Sequence, residues 1–294
     1  CTFETVGTTL RLTADCTTDA TILIPDGFTL DGANFTITAT DPAGGHFQGA
    51  VVMNAGASAS IVNTGITAQS LADVCDGGPG RLRGIFLDGA AGTIRRNRIT
   101  GINQGASRCQ EGNGIEIRSL AEDGAPVSVE IADNVVEQYQ KTGVVITGSV
   151  DAWVHDNRVG ASVNQEQLAA NAIQVGYGAW ALVTANRIAA NSWLGYPGTL
   201  DVATGVLLFR AAPGTTVSGN AIGGAGDIGI YIAADAVVVE ANELVDEGDD
   251  LGGYDIGIAD YGSGNRVSGN TVRGYQVPYD SLGGSAKSKV ASAR

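Results

Sequence analysis

The sequence predicts an all-β, single-domain solenoid in which about nine coils stack as a parallel β-helix. One observation is an asparagine that recurs between short apolar runs, at Asn34, Asn63, Asn97, Asn134, Asn157, Asn186, Asn220, Asn242 and Asn270. Another is a four-residue run of alternating apolar and variable residues, at 84–87, 114–117, 143–146, 172–175, 205–208, 229–232 and 257–260. The composition agrees, because 43 glycines and only 7 prolines suit strands joined by tight turns.

Each coil is predicted to contain three short strands. The alternating run, such as Gly114-Ile115-Glu116-Ile117, has the two-residue period of a strand. A turn, a second strand, the asparagine turn and a third strand follow, and a loop of variable length leads to the next coil. Residues 1–20 are predicted to cap the N-terminus, 21–274 to form the β-helix and 275–294 to be a poorly ordered tail. Strands spaced about 4.8 Å apart make nine coils about 40 Å long.

The recurring asparagines have a predicted structural role. Asparagine tolerates the left-handed backbone of a tight turn, and its amide can bond to neighbouring turns. Stacked coil on coil, the nine side chains are expected to form a buried amide ladder. The segment Asn34-Phe35-Thr36 also matches a glycosylation acceptor, and the ladder is the favoured interpretation of Asn34.

The repeats resemble those of the pectin-lyase-like superfamily over residues 8–274. The opening segment 22–37, ILIPDGFTLDGANFTI, is similar to the first coils of many of its members. The resemblance implies a right-handed helix with a ligand cleft along the Gly-Ile-x-Ile strands. It implies no single activity, because the superfamily contains lyases, hydrolases, epimerases, esterases and adhesins. The three aspartates of polygalacturonases, the calcium cluster of pectate lyases and the Asp-Pro-His motif of alginate epimerases are missing, so no family residue is carried over.

The four cysteines predict two disulfides, Cys1–Cys16 and Cys75–Cys109. Cys75 and Cys109 precede strands of adjacent coils, where stacked loops come within bridging range. A chain that starts at Cys1 suggests an exported protein from which the signal has been removed, which predicts a secreted or extracellular location. A lipid-modified Cys1 is the alternative, and it leaves Cys16 without a partner.

The charge of the chain bears on its partners. A net charge of −14, from 17 basic and 31 acidic residues, excludes nucleic acid and anionic membrane as expected partners. No apolar stretch is long enough for membrane insertion. Asp246, Asp249 and Asp250 offer oxygen ligands for calcium, but an exposed acidic loop is the favoured interpretation. The sequence therefore predicts no metal and no cofactor.

The outward positions of the Gly-Ile-x-Ile strands bring three charged residues together. Asp88 and Arg118 are expected to be lateral neighbours about 5 Å apart, with Glu116 about 8 Å from Asp88 on the diagonal. Two carboxylates at this distance, one beside a cation, can divide into acid and base around a water, as in an inverting glycosidase. The alternative is a solvated ion pair on the sheet surface.

Lys141 enters the next strand beside Glu116 and suggests a second chemistry. A lysine, or the nearby Tyr139, can remove the proton next to a uronate carboxyl while Arg118 or Arg83 holds that carboxylate, which is β-elimination. A solvated loop lysine is the alternative interpretation.

Aromatic and amide side chains near these positions are predicted to bind sugar. Flat exposed rings suit the apolar faces of sugars, and amides suit their hydroxyls. The predicted binding residues are Arg83, Asn171, Gln174, Tyr177, Trp193, Tyr196 and Tyr231. Packing of Trp193 and Tyr196 onto the barrel is an equally supported reading.

The function predicted from these features is that of a secreted carbohydrate-active protein. It is a glycoside hydrolase or polysaccharide lyase that acts on a poly- or oligosaccharide in a cleft on the Gly-Ile-x-Ile strands. The alternative is a non-catalytic β-helix that serves as a cell-surface or glycan-binding scaffold.

Overall fold

Parallel strands from successive coils form two long sheets in the computed structural model, which describes residues 1–105, 107–120, 125–163, 168–193, 201–224, 226–248, 254–281 and 289–292. One sheet, here called the floor sheet, has ten strands, one from each coil. They are Ile22–Ile24, Ala50–Asn54, Arg83–Asp88, Asn113–Ser119, Thr142–Gly148, Asn171–Gly176, Thr204–Phe209, Ile228–Ala233, Ile256–Asp260 and Val277–Ser281. The Gly-Ile-x-Ile repeats form the middle of this sheet, as their alternation predicts.

The other sheet, the wall sheet, has 21 strands and bends at the asparagine turns. Before the turns lie Thr9–Leu12, Phe28–Asp31, Ala59–Val62, Gly92–Arg95, Val127–Ala132, Val150–His155, Trp180–Thr184, Thr216–Ser218 and Val238–Glu240. After them lie Cys16–Thr18, Thr36–Ala39, Gly65–Ala68, Arg98–Thr100, Val135–Glu137, Arg158–Val159, Arg187–Ala189, Ala221–Gly224 and Glu243–Asp246. The long strand Arg266–Arg273 continues both halves and pairs with Lys289–Ser292, and Phe3–Val6 runs antiparallel to Thr9–Leu12. A short 3-10 helix covers Gly78–Gly80.

The inward side chains form one continuous apolar core. In the floor sheet, Ile85, Ile115, Val144 and Ile173 stack in register from coil to coil, and none is exposed. This stacking buries an apolar face that no single coil could cover, which is why the chain needs many coils. The chain is therefore an all-β, right-handed parallel β-helix, as predicted. Val277–Ser281 adds a floor strand beyond the predicted boundary at residue 274, because it pairs with Ile256–Asp260.

The amide ladder exists, but seven of the nine asparagines form it. Asn97, Asn134, Asn157, Asn186, Asn220, Asn242 and Asn270 are buried, and each amide accepts hydrogen bonds from the preceding coil. The row begins at Thr64, whose backbone N–H donates to Asn97 Oδ1 at 3.0 Å. Asn34 and Asn63 stand one position earlier in their coils and stay outside the ladder, because their own φ angles are +68° and +52°.

The left-handed turn residue precedes each ladder asparagine, contrary to the prediction that the asparagine itself adopts this backbone. These residues are Arg96, Asp133, Asp156, Ala185, Gly219, Ala241 and Gly269, with φ between +54° and +65°. The asparagine is then free to place its amide inside the turn and bond to the coils on either side. Its role is hydrogen bonding, and a variable residue makes the turn.

Both predicted disulfides are present, with Cα–Cα distances of 5.1 Å for Cys1–Cys16 and 5.0 Å for Cys75–Cys109. The sulfur of Cys1 is thus bonded to Cys16, which removes the lipid-modified alternative. Within the described ranges, no helix has the length and apolar character needed to cross a membrane.

Candidate functional site

A cleft of about 430 Å³ lies over the third to sixth strands of the floor sheet. It gathers most of the polar residues that the repeat register predicts to be close together. Its lining includes Arg81, Arg83, Glu116, Arg118, Lys141, Gln174 and Tyr177. Two outward rows contribute to its base: Glu116, Val145 and Gln174 in one row, and Arg118 and Thr147 in the other. Phe86 and Asp88 continue these rows on the preceding strand and are not among the lining residues.

Arg83 is buried beneath the cleft and has no free donor. Its Nε and Nη2 donate to the Glu116 carboxylate at 2.6 and 3.3 Å. The other three N–H groups donate to the carbonyls of Gly78, Pro79 and Arg81 at 3.1, 3.4 and 2.8 Å. A guanidinium has five N–H donors, so all are used. The prediction that Arg83 binds substrate is therefore wrong: its side chain is 1% exposed and holds the loop 78–81 against the floor sheet.

Glu116 is tied down from two sides. Besides Arg83, the Asn113 amide donates to Glu116 Oε2 at 2.8 Å. The sequence interpretation did not include Asn113, although its place three residues before Glu116 matches that of Asn171 before Gln174. Glu116 is 8% exposed. Both of its carboxylate oxygens accept hydrogen bonds from Arg83 or Asn113. Glu116 therefore holds these neighbouring side chains in position under the cleft.

Asp88 and Arg118 are lateral neighbours, as the register predicts, and form a two-point ion pair. Arg118 Nε and Nη2 donate to Asp88 Oδ1 and Oδ2 at 3.1 and 2.6 Å. The hydrogen-bonded Asp88 carboxylate raises the pKa of Arg118 above its ordinary value. Arg118 also lies over the Phe86 ring, 4.8 Å from its centroid. The pair is partly exposed, so the outer edge of Arg118 faces the cleft.

Lys141 differs from the arginines because burial disfavours its charged form. Desolvation lowers its pKa to about 8, and the charge of Asp201 opposes this effect. Its Nζ donates to the Ala169 carbonyl at 2.6 Å. An amine with this pKa is partly neutral near pH 8 and can accept a proton. Tyr139 cannot share that role, because it is buried, has a raised pKa and bonds to Asn191.

The predicted sugar-binding residues divide into two groups. Gln174 and Tyr177 line the cleft, and Tyr177 presents an exposed ring that meets the Phe209 ring edge-on at 5.4 Å. Asn171 is buried and donates to Gln174 Oε1 at 3.3 Å, so it orients Gln174 from below. Tyr231 lies further along the same sheet, with its ring edge-on against Tyr261.

Trp193 offers no open ring face, so the expectation of an exposed sugar platform there is wrong. The side chain is 5% exposed and packs with Ala169 and Ala203. Burial of the indole is more favourable than its exposure, because it removes a large apolar area from water. Tyr196 lies outside the described residues, as do Asp249 and Asp250.

Other features of the surface carry less chemistry. A concavity of about 970 Å³ lies on the wall sheet, and its lining combines small residues such as Gly160 and Gly223 with charged ones such as Arg187. Cys75, Cys109 and Glu111 come within metal-binding distance of one another, but the two sulfurs are joined as a disulfide. Glu111 accepts hydrogen bonds from the backbone N–H groups of Asp76 and Leu82 instead.

A family model and one solved structure agree with the fold. A family described as the right handed beta helix region matches residues 83–291. The enzymatically active domain of bacteriophage CBA120 tailspike protein 2 aligns with 96% of this chain and 43% of its own, at 10% identity and a TM-score of 0.50. The Dettilon tailspike protein aligns with 88% of this chain and 60% of its own, at 15% identity and a TM-score of 0.36. No curated protein sequence matches.

These likenesses concern architecture. At such low identity the first structural match shows the fold alone, and the chain spans less than half the length of that protein. The family match covers most of the chain, including every floor strand that lines the cleft.

Proposed function

From the premise that this chain belongs to the right-handed β-helix family, we propose that it is an extracellular carbohydrate-active protein and that its cleft cleaves a uronate-containing polysaccharide by β-elimination. The two disulfides support an oxidising, extracellular setting. The tailspike likeness, which includes a domain described as enzymatically active, supports a β-helix surface as a platform for such chemistry.

One observation carries the proposal: an amine with a lowered pKa shares a cleft with arginines. Lys141 has a pKa of about 8 and lines the same cleft as Arg81 and Arg118. A general base works best when its pKa lies near the working pH. Arg81 is exposed at the rim, and Arg118 keeps its outer edge open, so both can attract a substrate carboxylate.

The proposed reaction uses these groups in order. Neutral Lys141 removes the proton from the ring carbon that bears the carboxylate, while arginine stabilises the negative charge that develops there. The electron pair forms a carbon–carbon double bond as the neighbouring glycosidic oxygen leaves, and that oxygen takes up a proton from water. Gln174 supplies hydrogen bonds to hydroxyls, and the exposed Tyr177 ring stacks on a sugar face.

Hydrolysis by Asp88 and Glu116 is the weaker reading of the same cleft. Both oxygens of each carboxylate accept hydrogen bonds from an arginine. A general acid must donate a proton to the leaving group, and the oxygens of these carboxylates are already engaged by arginine N–H groups. Elimination needs no proton transfer from either carboxylate, so the arrangement favours it.

The experiment is a screen of uronate and neutral polysaccharides for an unsaturated product, detected by ultraviolet absorbance, and for new reducing ends. We expect an unsaturated product whose rate of formation rises with pH, is half-maximal near pH 8 and levels off above it. Lys141→Met should reduce kcat by about 10²–10⁴-fold. Arg158→Met removes an exposed cation from the wall sheet and should leave kcat unchanged.

Two outcomes would overturn the proposal. Reducing ends without unsaturated product indicate hydrolysis, and Asp88→Asn and Glu116→Gln then become the informative variants. Binding of a polysaccharide without any cleavage indicates the glycan-binding scaffold. If the protein forms unsaturated product and Lys141→Met does not change the rate, the lyase activity stands but Lys141 is not the base.

A further inference from the structure

Three buried oxygen atoms without a hydrogen-bond partner lie near the C-terminal end of the helix. They are Asp246 Oδ1, Asp255 Oδ1 and Tyr275 OH, and none has a partner among the described residues. Only two other buried side-chain atoms in the described ranges share this condition, on Gln104 and Asn113. Leaving a buried polar atom unbonded is costly, so a concentration of such atoms at one place calls for a ligand.

The backbone brings the three residues together. Asp246 ends a wall strand, and Gly274 stacks directly on it, since a Cβ built on Gly274 would lie 2.3 Å from the Asp246 carbonyl oxygen. Two residues later, the Gln276 N–H donates to Asp255 Oδ2 at 2.9 Å. Tyr275 therefore stands between the residue stacked on Asp246 and the residue bonded to Asp255.

The phenol of Tyr275 is directed away from solvent, and its hydroxyl lies 2.9 Å from the position that a Cβ on Gly229 would take. Tyr275 is 6% exposed, so its hydroxyl has no access to bulk water. Burial raises its pKa, and the negative charges of Asp246 and Asp255 raise it further. Both carboxylates are thus near enough to act electrostatically on the same hydroxyl.

Each aspartate has one oxygen fixed and one open. Asp246 Oδ2 accepts the Gly248 N–H at 3.0 Å, and Asp255 Oδ2 accepts that of Gln276. Among the described residues neither aspartate forms an ion pair, and the neighbouring Arg273 pairs with Glu243 at 3.5 Å. Within the part of the chain that the structure describes, the corner therefore holds two carboxylates with no positive charge paired to them.

We infer that Asp246, Asp255 and Tyr275 bind a hard divalent cation of the calcium type. A water molecule would satisfy the hydrogen bonds but would leave both negative charges uncompensated. A ligand set made only of oxygens suits calcium or magnesium and not zinc or copper. Calcium accepts irregular geometry and completes its coordination with water, whereas magnesium demands a regular octahedron. The site shares Asp246 with the calcium position considered from the sequence, and it is independent of the cleft reaction.

The test uses the whole chain, freed of metal by chelation. Calcium is added up to about 10 mM, above the dissociation constants of roughly 0.1–1 mM typical of extracellular calcium modules. Calorimetry measures the stoichiometry, the melting temperature reports stabilisation, and terbium emission excited through the aromatic residues reports the ion's proximity to them. Asp255→Asn keeps the acceptor for Gln276 and removes the charge. Asp19→Asn removes an exposed carboxylate at the other end of the chain and is the matched control.

We expect one calcium per chain and a saturable rise in melting temperature for the original protein and for Asp19→Asn. Asp255→Asn should bind at least tenfold more weakly and lose the rise, although without calcium it should melt no lower, because it carries less uncompensated charge. Tyr275→Phe should weaken binding and also lower terbium emission. The inference is overturned if no saturable binding occurs, which would leave a water as the occupant, or if Asp255→Asn binds calcium as tightly as the original.

Discussion

Arg83 and Glu116 join adjacent coils by a two-point ion pair, with 2.6 Å between Arg83 Nε and Glu116 Oε2. The pair lies under the cleft, and the same guanidinium binds three carbonyls of the loop 78–81. It therefore couples the rim of the cleft to the floor sheet. A buried pair of this kind is costly to break, because the remaining charge is left without compensation.

Glu116→Ala is expected to lower the free energy of unfolding by about 3–5 kcal/mol, since Arg83 would stay buried and unpaired. Urea denaturation measures the effect. Glu243→Ala is the matched control, because its partner Arg273 is half exposed and the pair is worth at most about 1 kcal/mol. Equal losses for the two variants would contradict the structural role assigned to Arg83.

Asn157→Ala is expected to lower the free energy of unfolding by about 3 kcal/mol, because buried groups on both neighbouring coils lose their partners. Asn157 accepts from the N–H and the amide of Asn134 and donates to the Ile131 carbonyl and to Asn186. The control is Asn34→Gly, outside the ladder and compatible with a φ of +68°. It should change stability by less than about 1 kcal/mol, which is the usual entropic cost of introducing a glycine. Chemical denaturation of both proteins checks the ladder boundary.

Replacing Cys75 and Cys109 together by serine should cost about 3–4 kcal/mol of stability, for a bridge that spans 34 residues. Because Gln110 follows Cys109 and lines the cleft, the variant should also bind polysaccharide more weakly. The bridge between Cys1 and Cys16 spans 15 residues. Replacing both cysteines by serine should lower stability and leave the affinity for polysaccharide unchanged. Thermal unfolding and a binding assay on each variant separate the two effects. Unchanged polysaccharide affinity in the first variant would show that the bridge does not shape the cleft.

The lowered pKa of Lys141 predicts a pH-dependent stability. The unfolded chain binds a proton at Lys141 up to its ordinary pKa of 10.5, whereas the folded chain releases it near 8. Stability therefore rises as pH increases from about 8 to 10.5, by an amount on the order of 3 kcal/mol. Below pH 8 the destabilisation is fully present. Lys141→Met should lack this rise, and denaturant titrations of both proteins at pH 7 and pH 10 measure the difference. Parallel pH dependence in the two would refute the assignment.

The sequence predicts the register of the cleft well, because a strand period of two and one floor strand per coil assign each side chain to a face. Glu116 and Gln174 share one row, and Asp88 pairs with Arg118, as counted from the repeat. The same counting placed Cys75 and Cys109 on adjacent coils, and the structure joins them. It failed by one position at Asn63, where Thr64 takes the ladder place. The spacing of residues around that turn does not show whether Asn63 or Thr64 takes the ladder position.

The sequence by itself determined the architecture and the in-register rows, since these follow from local periodicity repeated along the chain, and the even number of cysteines predicted the two disulfides. Only the tertiary structure decided what each polar group is bonded to. The loop 78–81 covers Arg83 and accepts its hydrogen bonds, and the Trp193 side chain is buried. The Lys141 amine donates a hydrogen bond to the Ala169 carbonyl. The reason is physical: hydrogen bonding and burial depend on how loops of unequal length meet in space, and no repeat sets that geometry.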